Sequence, residues 1–155
     1  MGKVEQLLQE KGIVLGKVPP AVATYVPATQ AGNLVYTSGN DCRINGTLML
    51  TGKVGSDLTV EQGYAAARQV AVNLLAVLKE HLGELDRIKQ VVKMLAFVNS
   101  APGFTEQPYV INGASDLLVE VLGDKGRHAR SAISANELPF DTPVEIELIV
   151  EVTEA

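Results

Sequence analysis

The stretch Arg127–Val152, RHARSAISANELPFDTPVEIELIVEV, decides the architecture. Its second half alternates strictly. Val144, Ile146, Leu148 and Val150 fall on one face, and Glu145, Glu147, Ile149 and Glu151 on the other. That two-residue period marks a strand with one face buried. Residues 128–135 read as a preceding strand of small side chains, and the connection Glu137-Leu138-Pro139-Phe140-Asp141-Thr142-Pro143 carries turn chemistry. Arg130 stands among Ala129, Ser131 and Ala132, where a large cation has no packing role. Its planar fork of N–H groups suits a carboxylate. The plainer reading is a surface ion pair with Glu145 or Glu147, and the local residues alone favour it.

Working outward, the 155 residues are expected to form a single domain with a core of ordinary size, residues 1–18 being an N-terminal helix and its lead-in. A hydrophobic content of 46% with 20% charged residues fits a soluble globular protein. The net charge of −5, with no stripe of Lys or Arg, argues against a dedicated nucleic-acid binder. One cysteine, Cys42, excludes an internal disulfide framework and suits a reducing compartment. With no long apolar run and no basic-then-apolar leader, a cytoplasmic location without membrane contact is expected.

The elements follow from local signals. Val4, Leu7 and Leu8 sit at helical spacing in residues 3–11, with Gly12 as the stop. Pro19-Pro20 forbids helix, and AVATYVPATQ reads as irregular; Tyr25 within it suits the core better than a cleft wall. After a turn at Ala31-Gly32-Asn33, residues 34–39 form a strand, and Thr37 and Ser38 most simply satisfy the turn backbone. Asn45-Gly46 is a hairpin signal between residues 41–44 and 47–50. Cys42 in the first of these strands has no nearby His or CxxC partner and reads as packing.

Thr59 and Gln62 form a capping box for a helix over about 60–81 that stops at Gly83. Tyr64, Ala67, Ala71, Leu74, Leu75, Leu78 and Leu82 make its apolar stripe; Arg68, Gln69, Lys79 and Glu80 make a solvated outer face. Residues 90–98 read as a central strand covered on both sides. After the loop 99–108, a second helix runs from about Gln107 to Gly123 with Ile111, Ala114, Leu117, Leu118 and Val121 inward; Asn112 interrupts that register and could face a pocket. Hairpin, helix, strand, helix, strand, strand is an α+β domain with two main helices on one sheet face. Val, Ile and Leu on the opposite face predict burial by other copies of the chain. The two histidines lack metal-ligand spacing, and no metal site is expected.

These residues together resemble a known family. Ala129-Arg130-Ser131, then Leu138-Pro139 eight residues after the arginine, then the Glu145-Ile146-Glu147 run fifteen after it, is similar to the signature of the reactive-intermediate deaminases, the Rid or YjgF family, also described as endoribonuclease L-PSP. Tyr25, the segment from Gly32 to Gly39 and the phase of both helices align as well, so the likeness covers nearly everything from about Pro19 onward. The resemblance implies a fold like the bacillus type of chorismate mutase, a homotrimer whose sheets form its core, and ligand sites between subunits. It implies hydrolysis of 2-imino acids to 2-keto acids and ammonia, without a cofactor. Arg130 would grip the substrate carboxylate and Glu145 would position or activate water. Tyr25, Ser38, Asn112 and the backbone at Ala132 would line the pocket.

Three departures mark a divergent subgroup. Ala132 stands where many members carry a Cys, residues 99–108 and 119–128 are longer than in compact members, and the N-terminal helix is an addition. Two other readings stand beside the deaminase. One is a non-catalytic module for small carboxylates or keto acids, which needs Arg130 but no catalytic Glu145. The other is an endoribonuclease or translation inhibitor, against which the acidic balance weighs.

Overall fold

The computed structural model describes every residue except Val22, which lies inside the segment read as irregular. Helix α1 (Lys3–Glu10) is followed by strands β1 (Ala28–Ala31), β2 (Leu34–Thr37), β3 (Arg43–Ile44) and β4 (Thr47–Leu48). Helix α2 (Val60–Leu82), strand β5 (Ile88–Asn99), helix α3 (Gln107–Leu122) and strands β6 (Ala129–Ala135) and β7 (Val144–Val152) complete the chain. The five-stranded sheet has the order β1-β2-β7-β5-β6; β3 and β4 form a separate two-stranded ladder.

Local chemistry explains most boundaries. The Thr59 hydroxyl accepts from Gln62 N at 3.1 Å, and the Gln62 side chain accepts from Thr59 N at 2.9 Å, so two orphan amides of α2 are satisfied reciprocally. At the β3–β4 turn Asn45 (φ 52°) and Gly46 (φ 84°) both take the left-handed conformation that a tight hairpin needs. The paired residues are only Arg43–Ile44 with Thr47–Leu48, shorter than the alternation implied. Strand β1 is a correction: residues 28–31 join β2 across Gly32-Asn33 as a hairpin instead of remaining irregular.

Helices α2 and α3 pack on each other and on one face of the sheet. The core comprises Leu74, Leu75 and Leu78 of α2, Ile111, Leu117 and Leu118 of α3, and Met94, Ile146 and Leu148 from the strands, all essentially inaccessible to water. Gly113 sets the helix crossing, because a Cβ there would lie 2.0 Å from the Tyr64 carbonyl oxygen. Tyr64 itself sits at the margin of the stripe, with its hydroxyl donating to Asp116 at 2.7 Å. The outer face of α2 is less solvated than its charges suggested: Lys79 pairs with the buried Glu5 of α1 at 3.0 Å and Arg68 with Glu120 of α3 at 3.0 Å.

Strand β5 is interior, between β7 and β6, but within one chain only one of its faces is covered. Met94, Ala96 and Val98 are buried, whereas Leu95 and Phe97 are half-buried and Val92 is exposed. Strands β6 and β7, consecutive in sequence, are not neighbours. β5 lies between them, parallel to β6 and antiparallel to β7, with α3 making the crossover from β5 to β6.

Candidate functional site

A one-residue irregularity between β2 and β7 builds the first part of the site. Tyr36 pairs with Ile149, yet Asn40 rather than Gly39 bridges to Ile146. The Thr37 hydroxyl accepts from Leu148 N at 2.9 Å where a backbone carbonyl would otherwise serve. The extra residue lifts Ser38 and Gly39 off the ladder, as bulges beside functional sites commonly do. The Ser38 hydroxyl donates to Val26 O at 2.6 Å, the backbone-satisfying role expected of it. A Cβ on Gly39 would meet the Glu145 carboxylate at 2.9 Å, so a larger residue there would push that side chain from its present position.

Glu145 is half-buried and its carboxylate has no hydrogen-bond partner among the described residues. Burial raises its carboxyl above the usual carboxylate range, and the negative charges of Asp41 and Glu147 push the same way. It borders an open cavity of about 580 Å³ together with Tyr25, Ser38, Asn40, Arg43 and Phe140. Tyr25 is 49% exposed, a correction to its expected place in the core: its ring lines the open cleft. Arg43 cannot neutralise Glu145 where it stands, because it donates to Asp41 at 3.1 Å and Gly46 O at 2.9 Å and lies over the Phe140 ring at 5.0 Å.

Arg130 belongs to a second cluster. It pairs with Met94, which pairs with Leu148, and both point into the helix-covered core. Glu145 pairs with Phe97 on the opposite, uncovered face. The two side chains therefore lie on opposite faces of the sheet, and the ion pair with Glu145 or Glu147 does not form. Arg130 donates instead to Ser115 Oγ at 2.9 Å and to Pro108 O at 3.2 Å. Those two contacts use two of the five guanidinium N–H groups and leave three. Asn112 lies four residues after Pro108 and three before Ser115, hence on the same face of α3. Ala132 shares the Arg130 side of β6 through its pairing with Ala96. Strand β6 is an edge of the sheet, so this cluster has no further strand of its own chain beside it.

One chain thus gathers Tyr25, Ser38 and Glu145 in one place and Arg130, Asn112 and Ala132 in another. Ser115 was missed from sequence; only its position seven residues after Pro108 on a helix facing β6 could have singled it out. Among the described residues no group of three or more His, Cys, Asp or Glu could hold a metal ion, and no helix is long and apolar enough to cross a membrane.

A family model described as "YjgF/chorismate_mutase-like, putative endoribonuclease" matches residues 5–152. The chain therefore belongs to the YjgF family, with its α+β, chorismate-mutase-like fold. Protein TCP17 of Trypanosoma cruzi is 43% identical over 97% of this chain and 94% of its own length. The crystal structure of a "putative endoribonuclease" from Shewanella oneidensis MR-1 is 35% identical with a TM-score of 0.94, covering 97% of this chain and 100% of that one. RidA from the Antarctic bacterium Psychrobacter sp. PAMC 21119 is 29% identical with a TM-score of 0.62, covering 88% of this chain and 94% of that one.

Proposed function

We propose that the chain hydrolyses reactive enamine and imine intermediates, converting 2-imino acids to 2-keto acids and ammonia, in a cleft completed by a second copy of itself within a homotrimer. The observation that carries this reading is the unpartnered, half-buried Glu145 beside an open cavity, with the carboxylate-gripping candidate on the other face of the sheet at an edge. A neighbouring subunit that brings its Arg130 to this cavity supplies the missing anchor for the substrate carboxylate, whose own charge takes up that cation and leaves Glu145 unpaired. Arg130 then fixes the substrate carboxylate and sets the C=N carbon in front of a water held by Glu145. Glu145 accepts a proton as the water oxygen bonds to that carbon, giving a carbinolamine. The proton passes to nitrogen, Glu145 relays the hydroxyl proton there as well while the C=O bond forms and the C–N bond breaks, and ammonia leaves with the 2-keto acid behind. A carboxyl whose affinity for protons is raised is the better base for this step. The reaction needs no cofactor.

The test is ammonia release from enzymatically generated 2-iminopropionate, with and without the protein. Acceleration is expected, lost on Arg130→Ala and little recovered by Arg130→Lys, since an ammonium cannot offer two parallel N–H groups. Pyruvate binding without any acceleration would leave a binding module in place of an enzyme.

A further inference from the structure

We propose that Ser115 and His128 are positioning residues for Arg130, a hydrogen-bonded relay that holds the guanidinium with three N–H groups free for a carboxylate. The proposal rests on the reading of Arg130 as a carboxylate anchor and assigns it a support. Arg130 Nη1 donates to Ser115 Oγ at 2.9 Å, Ser115 Oγ lies 2.9 Å from His128 Nε2, and His128 Nδ1 lies 2.6 Å from Gly126 O.

The direction of every bond follows from the last one. A carbonyl oxygen only accepts, so Nδ1 carries the hydrogen and, in the neutral ring, Nε2 is bare. The Ser115 hydroxyl therefore donates its single hydrogen to Nε2, which turns an oxygen lone pair towards Arg130. Burial keeps the ring neutral by lowering its proton affinity, and the charge of Arg130 acts in the same sense against the opposing pull of Gly126 O. Gly126 is itself wedged against α3, where a Cβ would lie 2.2 Å from Leu118 O, so the end of the relay is fixed. With Pro108 O as its second acceptor, the guanidinium is bracketed by two points on one rigid helix. Preorganisation of this kind removes the cost of ordering a long side chain when ligand arrives.

The relay is tested on the intact, ¹⁵N-labelled protein. A long-range ¹H–¹⁵N imidazole spectrum at neutral pH should show His128 with a protonated Nδ1 and a bare Nε2. The opposite tautomer, or an imidazolium, overturns the relay. Pyruvate titration and imine hydrolysis are then compared across variants. Ser115→Ala and His128→Phe should each raise the pyruvate Kd and the KM on the order of tenfold, with kcat nearly kept, because they loosen an anchor used equally in ground and transition states. Ser115→Thr, which keeps the hydroxyl, should restore affinity to within about threefold. Unchanged affinity in a folded Ser115→Ala protein, or no rescue by threonine, overturns the proposal. If Arg130→Ala itself binds pyruvate like the wild type, the anchor reading falls instead, and the imidazole spectrum still decides the relay.

Discussion

At Glu145 the fold holds a carboxylate where it gains no partner and meets two like charges, an arrangement that costs stability and serves chemistry. Its raised pKa means that the folded chain binds this proton more tightly than the unfolded chain does. The contribution to stability is therefore present at low pH and is lost as pH rises through the folded value. Glu145→Gln removes the charge, so it should melt higher than the wild type at pH 8, with a much smaller difference near pH 4, as scanning calorimetry would show. The same change should lower imine turnover by about a hundredfold or more while pyruvate still binds. Wild-type activity should rise with pH through a carboxyl transition above the ordinary glutamate range. Cys42 is the contrasting case. It is fully buried with Sγ 3.7 Å from both Leu50 O and Thr142 Oγ1, so Cys42→Ser should leave turnover within about twofold.

Among the elements, those governed by near neighbours in sequence were legible. The capping box of α2, the Asn45-Gly46 turn and the burial register of β7 each depend on residues within a few positions. Features set by distant partners were not. The lift of Ser38 and Gly39 exists only against the register of β7. The separation of Arg130 from Glu145 follows from β5 lying between β6 and β7, which no local pattern announces. Of the candidate site, the residue types were legible and their division into two clusters was not. The attachment of α1 is also long-range: Asp86 accepts from Lys3 N at 2.8 Å and Val4 N at 2.9 Å and acts as the missing N-cap. These amides hold its carboxyl below the usual range, so this stabilisation is present above the unfolded pKa and is lost as pH falls through the folded value. Asp86→Ala should cost about 1 kcal/mol and speed hydrogen exchange selectively in α1.

For the whole molecule, the decisive feature is the sheet face without helices. It presents Tyr36, Leu95, Phe97, Ile133 and Ile149, exposed or half-buried, among Lys93 and Glu147. A face of this kind calls for a cover, and the proposed trimer supplies one from identical chains. In a threefold ring the contact is heterologous, so the β6 edge of one subunit meets a different surface of the next, and the Arg130 cluster of one can close on the Glu145 cavity of its neighbour. Sedimentation should give a trimer at micromolar concentration. A monomer there would remove the composite site. The sharper measurement mixes two inactive proteins, Arg130→Ala and Glu145→Gln, through reversible dissociation. If each site takes its arginine from one subunit and its glutamate from the next, random exchange makes about a quarter of the sites intact in both residues. Imine hydrolysis should then return towards about a quarter of the wild-type rate per site. If both residues serve from one chain, every site keeps a lesion however the subunits are shuffled, and the mixture stays inactive.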